Sequence, residues 1–528
     1  MATQQDAGAL TNPFRPVRAS LADLLGDEYI EAVCAGRAWL AGEDLDALRE
    51  EARRPVDFLP AAFIERQHEL LGHTGQSVPA AVLTSSPAGK STDRFNEATK
   101  THVAPLTGFG LFRLAESGRL HLITKSEHYH ALLGHSFPGY RLIDRARALG
   151  IPNATHNNTR GYITRLLEER LVAAANGTTG ADADKLELNR VLNLETGSLA
   201  VEAALKMVLA RFHRIQGDAD PPAYEGRIPV VLVLGNENGG LEANYHGTTL
   251  LTQTMRGMWA SLLDRLQAAG IFEVRAIRPN RLEDVEAAFA ECEGGARKIA
   301  AFFHEIVMMN YGAVLLERGF LRRTYELCRA HDVPTIVDEI QSCMWSPEFF
   351  LFREYGLRPT MAAVGKGFPG GEYPASRILF NASMDGRMPQ FAALVTNGQE
   401  ELAALAYLIT MHWAAANADV TRAIGEYYEE RLREFAERHA DRVKGINGLR
   451  HMCGLEFDSL AAAADFAASM VRMGFDISAQ TYKVDCPPVV LTKLPLIVTR
   501  AAVDFILARM EQAITESAAP RTPRGAHA

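Results

Sequence analysis

Between Val337 and Ser376 an acid, an amide and a lysine follow one another at the ends of short apolar runs. The chain reads Val337-Asp338-Glu339-Ile340-Gln341, then Met361-Ala362-Ala363-Val364-Gly365-Lys366-Gly367. Short apolar runs bounded by turn residues are read as buried strands, which sets Asp338 and Lys366 just beyond two strand ends. Pyridoxal phosphate needs that pair: a carboxylate keeps a proton on the pyridine nitrogen and makes the ring an electron sink, while a lysine forms a Schiff base with the aldehyde. Gln341 is placed to hydrogen-bond the ring's phenolic oxygen. A Gly-Lys-Gly alone usually marks a surface loop, and an aspartate alone a turn. Their succession, with the Asp-Glu-x-Gln segment leading, favours the cofactor site.

Two further segments suit the same cofactor. Thr196-Gly197-Ser198 opens a strong helical pattern from Ala200 to Arg211. A helix start with a hydroxyl and free backbone amides cradles phosphate, although an ordinary helix cap looks the same in sequence. Tyr245-His246-Gly247-Thr248 follows the apolar run Val230–Leu234; Tyr245 could stack on a flat ring with His246 supporting it, or could be a core aromatic. Pro87-Ala88-Gly89-Lys90-Ser91-Thr92 ends like a nucleotide loop, but Thr84 stands where that pattern needs glycine, and no clear strand-then-helix frame surrounds it. His121, His128, His130 and His135 lack carboxylate or cysteine partners at ligand spacing, so no metal site is expected.

These residues need strands and helices to hold them. From about 140 to 380 helical periods alternate with apolar runs at Val230–Leu234, Ile299–Phe303, Thr335–Val337 and Met361–Val364. Such alternation implies an α/β fold with a mostly parallel sheet covered on both faces, whose ligands lie beyond the carboxyl ends of the strands. Residues 1–95 are read as a helical extension with amphipathic stretches at Leu21–Cys34, Asp44–Arg53 and Ala61–Leu71. The remaining expected units are a strand segment of the small domain (96–140), a large cofactor-binding domain (141–395), an interdomain helix with a small C-terminal α/β domain (396–516), and a disordered tail (517–528).

The bulk composition narrows the function further. A chain of 528 residues, 47% hydrophobic and 23% charged, is an ordinary globular protein of more than one domain. Its net charge of −9 argues against a general nucleic-acid binder. No apolar run of about 18 residues predicts a membrane span, and the first residues lack the apolar core of a secretory signal. Six scattered cysteines without a paired motif point to reduced thiols and a cytoplasmic location.

Taken in order, the segments resemble the class III aminotransferases, pyridoxal phosphate enzymes of fold type I, over roughly residues 103–516. Gly108-Phe109-Gly110 through Leu122, and Leu133-Gly134-His135-Ser136-Phe137-Pro138, resemble the family's N-terminal elements. Thr196-Gly197-Ser198 with Glu202-Ala203-Ala204 resembles its phosphate turn, and Tyr245-His246-Gly247 its ring-stacking segment. His304-Glu305 through Gly312 stands where the family has its Glu-Pro segment. Asp338-Glu339-Ile340-Gln341 and Gly365-Lys366-Gly367 match its two strongest motifs, and Leu449-Arg450 through Glu456 with Pro495-Leu496 its small domain. The resemblance implies a homodimer in which Thr396 reaches the phosphate of the neighbouring subunit's cofactor. It also implies transfer of an amino group between an amine or amino acid and an oxo acid. A racemase, decarboxylase or aminomutase on the same fold is the alternative, since one site can serve several chemistries.

The departures from the family bear on substrate. Leu491 stands where many members have a carboxylate-gripping arginine, with Lys493 two positions on. Asn310 stands where ornithine-type members have the glutamate that pairs with that arginine. Met344-Trp345-Ser346-Pro347 replaces a Gly-Arg-Thr-Gly, and Glu400-Glu401 an Asn-Pro. Cofactor chemistry is therefore expected to be kept and the substrate pocket to be changed.

Overall fold

A computed structural model describes residues 12–87, 89–99, 103–125, 131–153, 158–178, 187–215, 220–386, 388–389, 392–481 and 485–518. Seven strands build the central sheet: β1 Arg190–Leu194, β2 Ile228–Leu234, β3 Glu273–Ile277, β4 Arg297–His304, β5 Thr335–Asp338, β6 Met361–Val364 and β7 Ser376–Phe380. They lie in the order β1-β7-β6-β5-β4-β2-β3. β7 runs antiparallel to β1 and β6, and the other pairings are parallel. The sheet is mostly parallel, as its buried apolar runs require.

Successive strand side chains point to opposite faces, and this alternation divides the interior in two. Val231, Val233, Phe303, Ile336, Met361 and Ala363 pack in one core with the helix Gly197–Leu209. Val230, Leu232, Phe302, Val337, Ala362 and Val364 join the larger core on the other face. Asp338 continues the Ile336 face, two residues on. It therefore leaves the sheet on the side where the helix Gly197–Leu209 lies.

Around this sheet the helices Leu21–Leu25, Asp27–Ala41, Leu45–Arg53 and Ala61–Leu71 occupy the N-terminal segment, as its amphipathic stretches predict. Ser77–Val82 differs from that helical expectation: it is a strand paired antiparallel with Ser117–Ile123. Pro79 inside it reads as a breaker in sequence, but an exposed strand tolerates a missing N–H donor. A strand and a helix (Asp93–Ala98) thus do flank Gly89-Lys90-Ser91-Thr92, contrary to expectation. The strand is exposed and antiparallel and the helix has six residues, so the buried parallel frame of a nucleotide loop is missing; Ala88 lies outside the described residues.

The C-terminal segment folds as the sheet Val443–Leu449, Met452–Phe457, Val489–Lys493 and Ser478–Ala479, with helices Leu460–Arg472 and Arg500–Ala518. Most of the expected tail, from residue 519 on, falls outside the described residues.

The long helix Glu401–Ala416 packs on the helix Tyr162–Asn176 and supplies its missing cap. Gly161 has no side chain to satisfy the first amides. Glu401, 4% exposed, instead accepts from Ile163 N at 2.8 Å, from Thr164 N at 3.2 Å and from Thr164 Oγ1 at 2.6 Å. A carboxylate there also opposes the positive end of the helix dipole. Replacing Glu401 by Ala leaves two amides and a hydroxyl without their acceptor, and we expect it to lower unfolding stability by about 3 kcal/mol. Denaturant unfolding checks this; a midpoint equal to that of the parent would contradict the capping role.

Candidate active site

The segments leaving β1, β4, β5 and β6 at their carboxyl ends converge on a cavity of about 240 Å³, beside the start of the reversed strand β7. Its lining includes Thr196, Gly197, Ser198, Tyr245, His246, Asp338, Gln341 and Lys366. The lysine and the acid read from the sequence therefore share one space. Thr396 does not line this cavity and is exposed on a turn of its own chain.

Lys366 stands two residues past the end of β6 with φ 34°, a conformation side chains other than glycine rarely adopt. Gly365 before it allows β7 to approach: a Cβ there would lie 2.3 Å from Ser376 Oγ. Asp338 is 6% exposed and bound at both oxygens. Oδ2 faces His246 Nδ1 at 2.9 Å, and Oδ1 accepts from Ile340 N at 3.1 Å. An ionised carboxylate can only accept, so the proton between His246 and Asp338 sits on Nδ1. His246 thus orients the acid, while Tyr245 lines the cavity with the Arg256 guanidinium 5.1 Å from its ring centroid.

The helix start carries both readings open in the sequence. Thr196 is the cap of Gly197–Leu209, its hydroxyl accepting from Leu199 N at 3.4 Å, and the same turn lines the cavity. The first amides of a helix have no intrahelical acceptor and suit an anion. The turn 245–247 packs tightly on this start. Gly247 has φ 124°, a Cβ on it would fall 2.6 Å from Ser198 Cα, and Thr248 N donates to Ser198 Oγ at 3.0 Å.

Several residues at the site were not singled out from sequence. Tyr373 and Ser376 line the cavity without a local motif to mark them, and Glu305 lines it from the segment that resembles the family's Glu-Pro stretch. Asn310 lines it too, with a buried Nδ2 that meets no acceptor, and Leu491 is wholly buried in its strand. His304 serves the core: Nε2 meets Tyr325 Oη at 2.8 Å, Nδ1 meets Glu305 O at 3.1 Å, and burial pushes its pKa down to about 3. His121 and His135 are not placed in a metal cluster, since no group of three or more potential ligands occurs among the described residues; His128 and His130 lie outside them.

Glu339 explains how the loop after β5 keeps its shape. Fully buried, it accepts from Leu351 N at 2.8 Å and Phe352 N at 2.5 Å, so its carboxylate pins the following loop while its neighbours Asp338 and Gln341 face the cavity. Burial raises its pKa to about 7, outweighing the backbone hydrogen bonds that pull it down. A carboxyl raised above its unfolded value contributes stability that is full below about pH 4.5 and lost as pH rises through about 7. The parent should thus lose up to about 3 kcal/mol more than Glu339→Gln over that window. Denaturation at stepped pH checks this; parallel stability curves for parent and variant would contradict it.

The residues present fit pyridoxal phosphate: a lysine, a buried carboxylate held in orientation, a side-chain amide and a helix N-terminus meet in one cavity. A sequence profile described as aminotransferase class-III matches residues 151–514, more than half of the chain. The chain therefore belongs to the class III aminotransferase family, whose members use pyridoxal 5′-phosphate. It is similar to an ornithine aminotransferase of Bordetella pertussis, 25% identical over 457 residues, covering 82% of this chain and 98% of that protein. Among solved structures it resembles the adenosylmethionine-8-amino-7-oxononanoate aminotransferase of Methanocaldococcus jannaschii, with TM-score 0.65, 18% identity and coverage of 82% and 97%. A phospholyase from Arthrobacter, in complex with phosphoethanolamine, matches with TM-score 0.61, 18% identity and coverage of 79% and 94%. The fold is that of the fold type I pyridoxal phosphate enzymes, and the chain is a pyridoxal phosphate-dependent aminotransferase.

Proposed function

We propose that Lys366 carries the cofactor through its ε-amine and that Asp338 and Gln341 hold the ring while an amino group passes between an amine or amino acid and an oxo acid. The observation that supports this most is the meeting of Lys366, Asp338 and the Thr196-Gly197-Ser198 helix start on one cavity. When bound, pyridoxal phosphate supplies an electron sink for the bonding electrons released at the substrate's amine-bearing carbon. Asp338, oriented by His246, keeps the ring nitrogen protonated. Lys366 Nζ would take the proton from the substrate's amine-bearing carbon and return it to the cofactor carbon that bore the aldehyde, so that no proton is lost or gained. Tyr245 would cover the ring, and the amides of Gly197 and Ser198 would hold the phosphate.

The same proposal covers the assembly. A homodimer is supported by the exposure of Thr396, which would serve the neighbouring subunit's phosphate. The six cysteines scattered singly along the chain support a cytoplasmic setting; no helix among the described residues is long and apolar enough to cross a membrane. We take 141–395 as the cofactor-binding domain, 96–140 and 396–516 as the parts of the small domain, and 1–95 as an extension.

Leu491 and Asn310 in place of a charged pair support a substrate that needs no arginine grip on a carboxylate. They also keep the racemase, decarboxylase and aminomutase readings in view, and an oxo product with an aminated cofactor separates transfer from these. Lys366→Ala should lose the visible absorbance of the lysine-linked cofactor and all turnover. A variant with unchanged spectrum and rate would refute the assignment.

A further inference from the structure

Behind the cavity lies a cation that the chemistry just described does not use. Lys493, the last residue of the strand Val489–Lys493, is wholly buried. Its Nζ donates to the backbone oxygen of Gln341 at 2.6 Å and to Gln341 Oε1 at 3.0 Å. The ammonium also lies 4.0 Å from the ring centroid of Trp345, close enough for a cation–π contact. Trp345 is itself fixed, its Nε1 donating to Leu494 O at 3.0 Å, and Lys493 N donates to Thr124 O at 2.7 Å. Lys493 is absent from the cavity wall, whereas Gln341 forms part of it.

An ammonium has three donors and no acceptor. It can therefore bind a carboxamide only through the oxygen, and this removes the ambiguity between the two ends of the Gln341 amide. With Oε1 committed to Lys493, the group left for the cavity is the NH2. We propose that Lys493 is a positioning residue: it holds the Gln341 carboxamide so that a hydrogen-bond donor, never an acceptor, faces the phenolic oxygen of the cofactor. The inference rests on the pyridoxal phosphate reading of the site. It also gives a use to Trp345, which lies in a segment that departs from the family pattern and against which Lys493 packs.

A donor to the phenolic oxygen weakens that oxygen's hold on the proton of the Lys366–cofactor linkage. Losing the donor should raise the pKa of that linkage. The other ionisable groups facing the cavity (Glu195, Tyr245, His246, Glu305, Asp338, Tyr373) stay in place. Cys343, which neighbours Lys493, has its thiol pushed up to about 12 by burial and does not titrate in the working range.

The test is an absorbance titration of the holoenzyme. Lys493→Met should raise the linkage pKa by about one unit, and Gln341→Ala should do the same. Adding K493M to Q341A should move it no further than about 0.3 unit. A K493M titration that overlays the parent would overturn the proposal, as would an equal further shift in the Q341A background. Gln341→Glu examines the same arrangement with Lys493 untouched: its carboxylate pairs with the ammonium but offers no donor, so the pKa should again rise, and an unchanged value would overturn the proposal. A parent protein that takes up no pyridoxal phosphate would overturn the functional reading and this role with it. A normal parent titration with an inert K493M would overturn the positioning role alone.

Discussion

Asp338 and Lys366 share a site because of one strand register. In the parallel pair β5 and β6, Asp338 lies beside Ala363, and Glu339 N donates to Ala363 O at 2.9 Å. That bond sets the acid level with the last residues of β6, three positions before the lysine. A slip of one residue would turn Asp338 to the opposite face of the sheet, away from the helix Gly197–Leu209 and from His246. The remaining features of the site keep this register useful. Gly365 lets β7 close against the lysine's strand, His246 binds one oxygen of the acid, and Glu339 pins the loop that Gln341 begins.

The parts of the fold legible in the sequence were those with uniform burial. β2, β4, β5 and β6 are continuous apolar runs because they lie inside the sheet with both faces covered. β1 and β3 are its edge strands, where partly exposed positions such as Arg190, Glu273 and Arg275 break the run. β7 was hidden by Arg377, which is buried; its Nη1 donates to Leu194 O and Ser376 O, and its guanidinium lies over the Tyr407 ring. A buried arginine of which only Nη1 reaches backbone carbonyls looks in sequence like a surface residue. Ser77–Val82 escaped for a different reason, since its proline and two alanines carry neither period.

The site divided along similar lines. Asp338, Gln341 and Lys366 could be read because charged or amide residues at the ends of apolar runs are chemically conspicuous. Ser376 follows no motif that names it, Glu305 and Asn310 were marked only through the family resemblance, and the position of all three depends on which strands lie side by side. Lys493 is 152 residues from Gln341, so their contact exists only once the C-terminal sheet docks behind the loop after β5. Its cation lies outside the cavity, so it cannot act as a carboxylate grip, and the wall facing a substrate carries Asn310 where a charged partner was expected. The cavity wall thus departs from the family pattern at Asn310, while Asp338, Gln341 and Lys366 beside it keep that pattern.

The proposed chemistry requires that one lysine, Lys366, bind the cofactor covalently. Incubating the protein with pyridoxal phosphate, reducing with borohydride and mapping the adduct by peptide mass spectrometry tests it directly. A stoichiometric pyridoxyl phosphate adduct is expected on the peptide carrying Lys366, removed by prior conversion of the cofactor with an accepted amine. An adduct on another lysine, or none under conditions where the protein is folded, would contradict it.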